Sequence, residues 1–192
     1  MEVSNNYVEP GFDVSDNLDD LSTNDVIRTG SVDISNLGVY TLSYTATDSC
    51  GNSTTVYRTV TVVDTTKPVI TLNGYSVVNH LINTTYVDAG ASVSDNYFSE
   101  SDITLYDNSN IDINKLGSYT ITYYATDPCG NEAIPKTRTV NVIDNEPPVI
   151  TLNGDASINI IISSEYIELG ANVTDNYFPD FSAVPVGSVD TS

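Results

Sequence analysis

The segment "TTKPVITLNG" at residues 65–74 returns as "NEPPVITLNG" at 145–154, and "YVDAGASVSDNYF" at 86–98 returns as "YIELGANVTDNYF" at 166–178, eighty positions later in both cases. Earlier relatives of the same segments stand 79 positions upstream. "YVEPGFDVSDN" begins at Tyr7, and "DISNLGVYTLSYTATDSCGN" at 33–52 anticipates "DINKLGSYTITYYATDPCGN" at 112–131. A period of about eighty residues constrains the fold more than any other feature, because each copy must be a unit that the next can repeat. The boundaries fall at 1–64, 65–144 and 145–192. The middle copy is complete; the first begins after the place of the "PVITLNG" segment and the third stops before its "LGxY" segment, as expected of a fragment of a longer repeat protein.

Within the complete copy, "PVITL", "YSVVNHLI", "GASVS", "DITLYD", "IDI", "SYTITYYAT" and "KTRTVNVID" follow one another about every ten residues, separated by turn formers. No stretch shows sustained helical spacing, and Val, Ile, Thr and Tyr, the residues that suit a pleated surface, dominate. The pattern predicts an all-β chain of antiparallel β-sandwiches. Alternation is strongest where Tyr119, Ile121, Tyr123 and Ala125 face a core while Thr120, Thr122, Tyr124 and Thr126 face outward. Tyr40, Leu42, Tyr44 and Ala46 repeat the core face in the first copy. With 40% apolar residues the chain can fill such cores.

Twenty-six acidic residues against six basic ones give a net charge of −20, which repels nucleic acid and anionic membrane surfaces and favours cations as partners. No apolar run is long enough for a bilayer, so no membrane insertion is expected within this segment, and "MEVSNNYVEP" is too acidic and polar for a signal peptide. His80 is the only histidine, which limits triads and His-based metal clusters, and no nucleotide loop or zinc spacing occurs. The acids lie in repeated turns, as in a scaffold rather than a hydrolase. The chain reads as non-enzymatic.

"LGVY" and "LGSY", each leading a strongly alternating strand, resemble the tyrosine corner of immunoglobulin-like sandwiches, in which a tyrosine bonds back to backbone. Two residues later, where immunoglobulin domains carry a disulfide cysteine, this chain has Leu42 and Ile121. The ordered set "PVITLNG", "SDN", "LGxYTxxYxATDxCGN" resembles hyalin-repeat and bacterial immunoglobulin-like surface domains, tandem modules of adhesins, cell-surface proteins and virion appendages. The resemblance covers nearly the whole chain. It implies tandem immunoglobulin-like antiparallel β-sandwiches in an extracellular stalk, fibre or adhesin at a cell or virion surface. The implied partners are neighbouring repeats, other copies of the chain, or a surface glycan or protein met through loops; "PVITLNG" also raises the prospect of head-to-tail fibres joined by strand complementation.

In such a sandwich the loops bearing "SDN" and "TDPCGNE" lie at the end where the chain enters, near the linker "VVDTTKP". Asp64, Asp95, Asn96, Asp127 and Asn131 are then expected to converge at the first joint, with Asp144, Asp175 and Asn176 beginning the same set at the next. Hard oxygen ligands of this kind suit calcium, and the linker resembles those of cadherins. The same residues also serve as ordinary turn formers, since Asp and Asn cap their own backbone. Cys50 and Cys129 occupy equivalent places in successive copies, too far apart for one bond if the modules stack end to end. Each is expected to be free and partly buried in its hairpin, with an interchain disulfide as the alternative. Asn52, Asn83 and Asn172 open N-x-S/T sequons and are candidate glycosylation sites. Tyr97 and Tyr124 offer rings on which sugars stack, although Tyr97 fits better against the neighbouring module.

Overall fold

The computed structural model describes residues 1–179 and 181–192. The described residues form an all-β chain of tandem immunoglobulin-like sandwiches, helical only in two single 3-10 turns at Thr23–Asp25 and Glu100–Asp102. Among them no helix is long and apolar enough to cross a membrane. The first copy contributes β1 (Ile27–Thr29), β2 (Gly38–Thr47) and β3 (Ser53–Val62). The middle copy contributes β4 (Val69–Leu72), β5 (Val77–Leu81), β6 (Ala91–Ser94), β7 (Thr104–Asp107), β8 (Gly117–Thr126) and β9 (Lys136–Ile143). The third contributes β10 (Val149–Leu152) and β11 (Ala171–Thr174). Every strand expected in the middle copy forms except "IDI". There Asp112 accepts from the backbone N–H of Asn114 through its side chain and of Lys115 through its carbonyl, closing a turn where a strand would need extended backbone.

Two compact units emerge. The first comprises Met1–Asn73, Gly90–Asp107 and Tyr123–Lys136. In it β1, β2 and β3 make an antiparallel sheet in that order, with Leu42 opposite Arg58 and Tyr44 opposite Val56. Leu42, Tyr44 and Val60 are buried there, and Met1, Tyr7, Phe12, Val26 and Val32 pack against them. The same unit holds the β4–β6 pair, which buries Ile70 and Val93, and β7 against the end of β8, where Tyr123 and Ala125 are buried. The second unit comprises Gly74–Ala89, Asn108–Thr122 and Thr137–Ser192. In it β5 runs parallel to β9, Val77 opposite Thr139 through Leu81 opposite Ile143, and Ile82, Ile121, Val140 and Val142 are buried. Beside β9 lies the Gly117–Thr122 part of β8, in the order β5–β9–β8. In the third copy β10 pairs antiparallel with β11, but Ile150 remains 63% exposed where its counterpart Ile70 is 3% exposed.

Without an inter-sheet disulfide, an ion pair recurs instead, with its arginine buried in the middle copy and partly buried in the first. Arg138, 1% exposed, pairs with Asp88 and donates from Nε to the Tyr75 carbonyl at 3.0 Å, while Tyr86 donates its hydroxyl to Asp88 at 3.0 Å. In the first copy Arg58 pairs with Glu9, which also accepts from the hydroxyls of Tyr7 at 3.0 Å and Tyr44 at 2.6 Å. A buried charge is tolerable only with such partners. The tyrosine corners are present too, Tyr40 donating to the Asn36 carbonyl at 2.8 Å and Tyr119 to that of Lys115 at 2.9 Å.

Candidate metal centre in the linker after the first repeat

Three aspartates reach one place from three elements: Asp64 from the linker after β3, Asp95 from the turn after β6, and Asp127 from the turn after β8. One carboxylate oxygen of each lies within 4.8 Å of those of the other two. Asp64 and Asp127 are 4% and 5% exposed, and Asp95 is half-buried. Each is first a turn former. Asp64 Oδ1 accepts from Thr66 N at 3.0 Å, Asp95 Oδ1 from Tyr97 N at 3.0 Å and Phe98 N at 3.2 Å, and Asp127 Oδ1 from Asn131 N at 2.8 Å. Gly130, at φ +88°, lets the hairpin turn back so that its N–H meets the Asp127 carbonyl at 3.1 Å.

Turn formation uses one oxygen per side chain and leaves the second. Oδ2 of Asp64 and of Asp95 is buried with no hydrogen-bond partner among the described residues. Unpartnered buried carboxylate oxygens are costly, and burial accordingly pushes the Asp64 carboxyl above its ordinary range against the Thr66 N–H, with Asp95, Glu2 and Asp127 adding to the effect. Asn131 ties the group together, its amide nitrogen donating to Asp127 Oδ2 at 2.8 Å and to the Asp64 carbonyl at 3.2 Å. Asn96 is exposed beside Asp95.

Equivalent turns elsewhere show what the trio adds. In the first copy Asp16 and Asp48 hold the places of Asp95 and Asp127, and backbone N–H groups of Leu18 and Asp19 and the Asn52 amide hold their carboxyls below the ordinary range. In the second unit Asp144 accepts from Glu146 N at 3.1 Å and Asp175 from Tyr177 N and Phe178 N, while the Asn176 carbonyl accepts from Asn83 Nδ2 at 3.2 Å. Among the described residues, only Asp64, Asp95 and Asp127 assemble as three carboxylates.

Glu2 is the residue the sequence did not disclose. Its carboxylate accepts from Thr65 N and Oγ1 and from Thr66 Oγ1 at 2.7 to 3.1 Å, clamping the linker, and the Thr65 hydroxyl above all holds its pKa down to about 2. Its counterparts are Leu81 and Ile161, so comparison of the copies hides it. Tyr97 packs edge-on against Phe98, ring centroids 4.9 Å apart.

Cys50 and Cys129 are free and both exposed, not partly buried as expected, because the Asp48 and Asp127 turns place them at the hairpin tips. Desolvation, then Asp127, Asp64 and Asp95, raise the Cys129 thiol. The sequon amides are all engaged: Asn52 with Asp48, Asn83 with the Asn176 carbonyl, and Asn172 with Asn153 Oδ1 at 3.0 Å.

Among curated proteins, the chain is 37% identical over 149 residues to an uncharacterised 81.3 kDa protein of Acholeplasma phage L2, covering 72% of this chain and 20% of the phage protein. It is 31% identical over 166 residues to hyalin of Lytechinus variegatus, covering 79% of this chain and 29% of hyalin. The chain thus spans less than a third of the length of either relative. Among solved structures, fibronectin(III)-like modules from Clostridium thermocellum match with a TM-score of 0.35 and 20% identity over 56% of this chain and 64% of theirs. A lipoprotein of Bacteroides thetaiotaomicron matches with a TM-score of 0.34 and 22% identity over 42% of this chain and 39% of its own. The family described as bacterial surface protein, Ig-like domain, matches residues 1–62 and 70–142, within the first and middle copies, and the chain belongs to that family.

Proposed function

We propose that the chain is a non-enzymatic spacer of an extracellular stalk, fibre or adhesin, and that calcium bound by Asp64, Asp95 and Asp127 stiffens the joint between its first two repeats. The observation that carries the reading is the pair of buried, unpartnered Oδ2 atoms of Asp64 and Asp95 in a three-carboxylate group drawn from the linker and two loops. Calcium takes six to eight oxygens in irregular geometry, so with one oxygen from each carboxylate three to five further carbonyls or waters complete the shell. Binding there draws the linker toward the loops of the following sandwich and removes the repulsion among the three charges. Titration calorimetry on the chelator-stripped chain tests it. One saturable calcium site reversed by EGTA is expected, together with protection of residues 62–68 from limited proteolysis; no heat and no protection refute it.

A second reading, head-to-tail assembly by strand complementation, draws on two unpaired edges. β3 forms the edge of its sheet and is met by the amino-terminal segment at its end alone, where Met1 donates to the Thr61 carbonyl and Met1 and Val3 bond Val63, whereas its counterpart β9 is covered by β5 over five residues. Residues 156–162, the counterpart of β5 in the third copy, are outside any strand, with Ile161 80% and Ile162 74% exposed. Light scattering on the chain and on Ile160→Pro separates the readings: concentration-dependent polymers lost in the variant support assembly, and a monomer in both excludes it.

A further inference from the structure

The outward sheet faces of the first two copies carry no charge, although the chain as a whole carries −20. On β2 and β3 the outward positions run Val39 to Thr47 and Ser53 to Thr61 in steps of two, and every one is Thr, Ser, Val or Tyr. On β8 they run Ser118 to Thr126 and are Ser, Thr or Tyr throughout. Strand propensity accounts for threonine and tyrosine at such positions. It does not account for the complete exclusion of Lys and Glu, which ordinarily keep exposed sheet surfaces soluble and unpartnered.

The hydroxyls are arranged in cross-strand pairs. Thr29 meets Ser43 at 2.6 Å, Thr45 meets Thr55 at 2.8 Å and Thr47 meets Ser53 at 2.7 Å, so each pair uses one hydrogen and keeps a second hydrogen and free lone pairs for a ligand. Opposite Ser43 in the register stands Tyr57, 71% exposed. In the middle copy Tyr106, 54% exposed, stacks on its register partner Tyr124 at 5.2 Å and 18°, leaving the outer ring faces open.

We propose that these faces bind an uncharged polysaccharide. Hydroxyl pairs that both donate and accept match the hydroxyls of a neutral sugar, and tyrosine rings offer apolar area to the C–H faces of pyranose rings. The charge pattern selects the ligand: a polyanion meets the chain's overall negative field, and a polycation finds no carboxylate on this surface. A protein partner or a second copy is the poorer match, because a protein interface needs a continuous apolar centre, and here the apolar side chains stand singly among hydroxyls. Recurrence of the face in two copies makes the binding multivalent, so weak individual contacts sum along one polymer. The surface is separate from the carboxylate group, and binding is independent of calcium.

Native affinity electrophoresis tests this with the whole chain in gels containing β-glucan, xyloglucan, galactomannan or dextran, against alginate as the acidic control, all with EGTA. Retardation by at least one neutral polymer and none by alginate is expected. Tyr57→Ala and Tyr106→Ala each lower the association constant about 2- to 12-fold, the range of one aromatic contact, and together abolish retardation. Tyr57 is exposed, and Tyr106→Ala gives up only the stack on Tyr124, so the double variant stays cooperatively folded with its thermal midpoint lowered by a few degrees, and Tyr57→Trp retains binding. No retardation in any neutral polymer overturns the proposal, as does undiminished retardation of the double variant. Dimerisation of the parent that the double variant loses also overturns it, by assigning the face to a second copy.

Discussion

The proposed calcium site predicts that replacing Asp64 by Asn stabilises the metal-free chain and removes most of its response to calcium. The substitution removes one charge from the trio while keeping Oδ1 as acceptor for the Thr66 N–H. The carboxylate oxygens lie within 4.8 Å of one another. At that separation two unit charges repel by about 0.9 kcal/mol in bulk water and about 3.5 kcal/mol at an effective dielectric of about 20. Asp64 faces two such neighbours, about 1.7 to 7 kcal/mol in all, of which burial of the new amide N–H2 takes back about 1 to 3 kcal/mol, so without calcium Asp64→Asn stabilises the chain by about 1 to 4 kcal/mol. The sign of the pH dependence follows. The folded Asp64 carboxyl sits above its unfolded value, so the metal-free parent loses stability as pH rises from the unfolded value through the folded one, and the variant lacks that loss. If calcium fills the proposed site, the parent at about a hundred times the dissociation constant is expected to gain about 2.7 kcal/mol, or about 5 to 11 °C in Tm, and the variant little. Differential scanning calorimetry in EGTA and in calcium reads all four states. Equal calcium shifts in parent and variant, or a variant less stable than the parent in EGTA, refute the reasoning.

Arg138→Ala leaves Asp88 and the Tyr75 carbonyl facing a cavity and is expected to cost about 3 to 5 kcal/mol in urea unfolding. Tyr119→Phe removes the 2.9 Å bond to the Lys115 carbonyl and costs about 0.5 to 1.5 kcal/mol by the same measurement. Glu2, held near 2 against an ordinary 4.5, stabilises the fold above pH 4.5 and loses that contribution as pH falls through 2. Glu2→Gln therefore flattens the acid limb of the stability profile in that window. Both cysteines being exposed and free, mass mapping under non-reducing conditions is expected to find no Cys50–Cys129 peptide, and one that did would contradict their placement on separate hairpin tips.

The sandwich was legible because its signals are local and repeated. The alternation from Tyr119 to Thr126 is the observed core and outward pattern, and the corner tyrosines needed only their "LG" prefix. Asp64, Asp95 and Asp127 could be grouped because immunoglobulin-like topology brings the linker and two loops to one end, and each sits in a recurrent motif. The ion pairs were half visible. The acid stands in every "YxE" or "YxD" segment, but its arginine lies about fifty residues away at Arg58 or Arg138, and only the scarcity of basic residues, six in all, marked two at equivalent positions. Glu2 was not legible, since it acts through a linker 63 residues distant and has no counterpart in the other copies. The "IDI" segment reads as a strand but forms a turn because the capping of Asp112 competes with extension, and sequence periodicity over three residues does not decide between them.

The parallel register of β5 and β9 bears on how the middle repeat answers to tension. β5 lies near the beginning of that repeat and β9 at its end, and they run in the same direction from Val77 opposite Thr139 to Leu81 opposite Ile143. A pull on the two ends of that repeat reaches β4 first and, once β4 has parted from β6, drags β5 backward and β9 forward along the same axis, so the bonds of the ladder are strained together in shear. In an antiparallel pair opened from one end they would break in succession, like a zipper. A module that resists by sliding friction of a whole ladder yields only when several hydrogen bonds fail at once, which makes its rupture force large compared with its modest equilibrium stability.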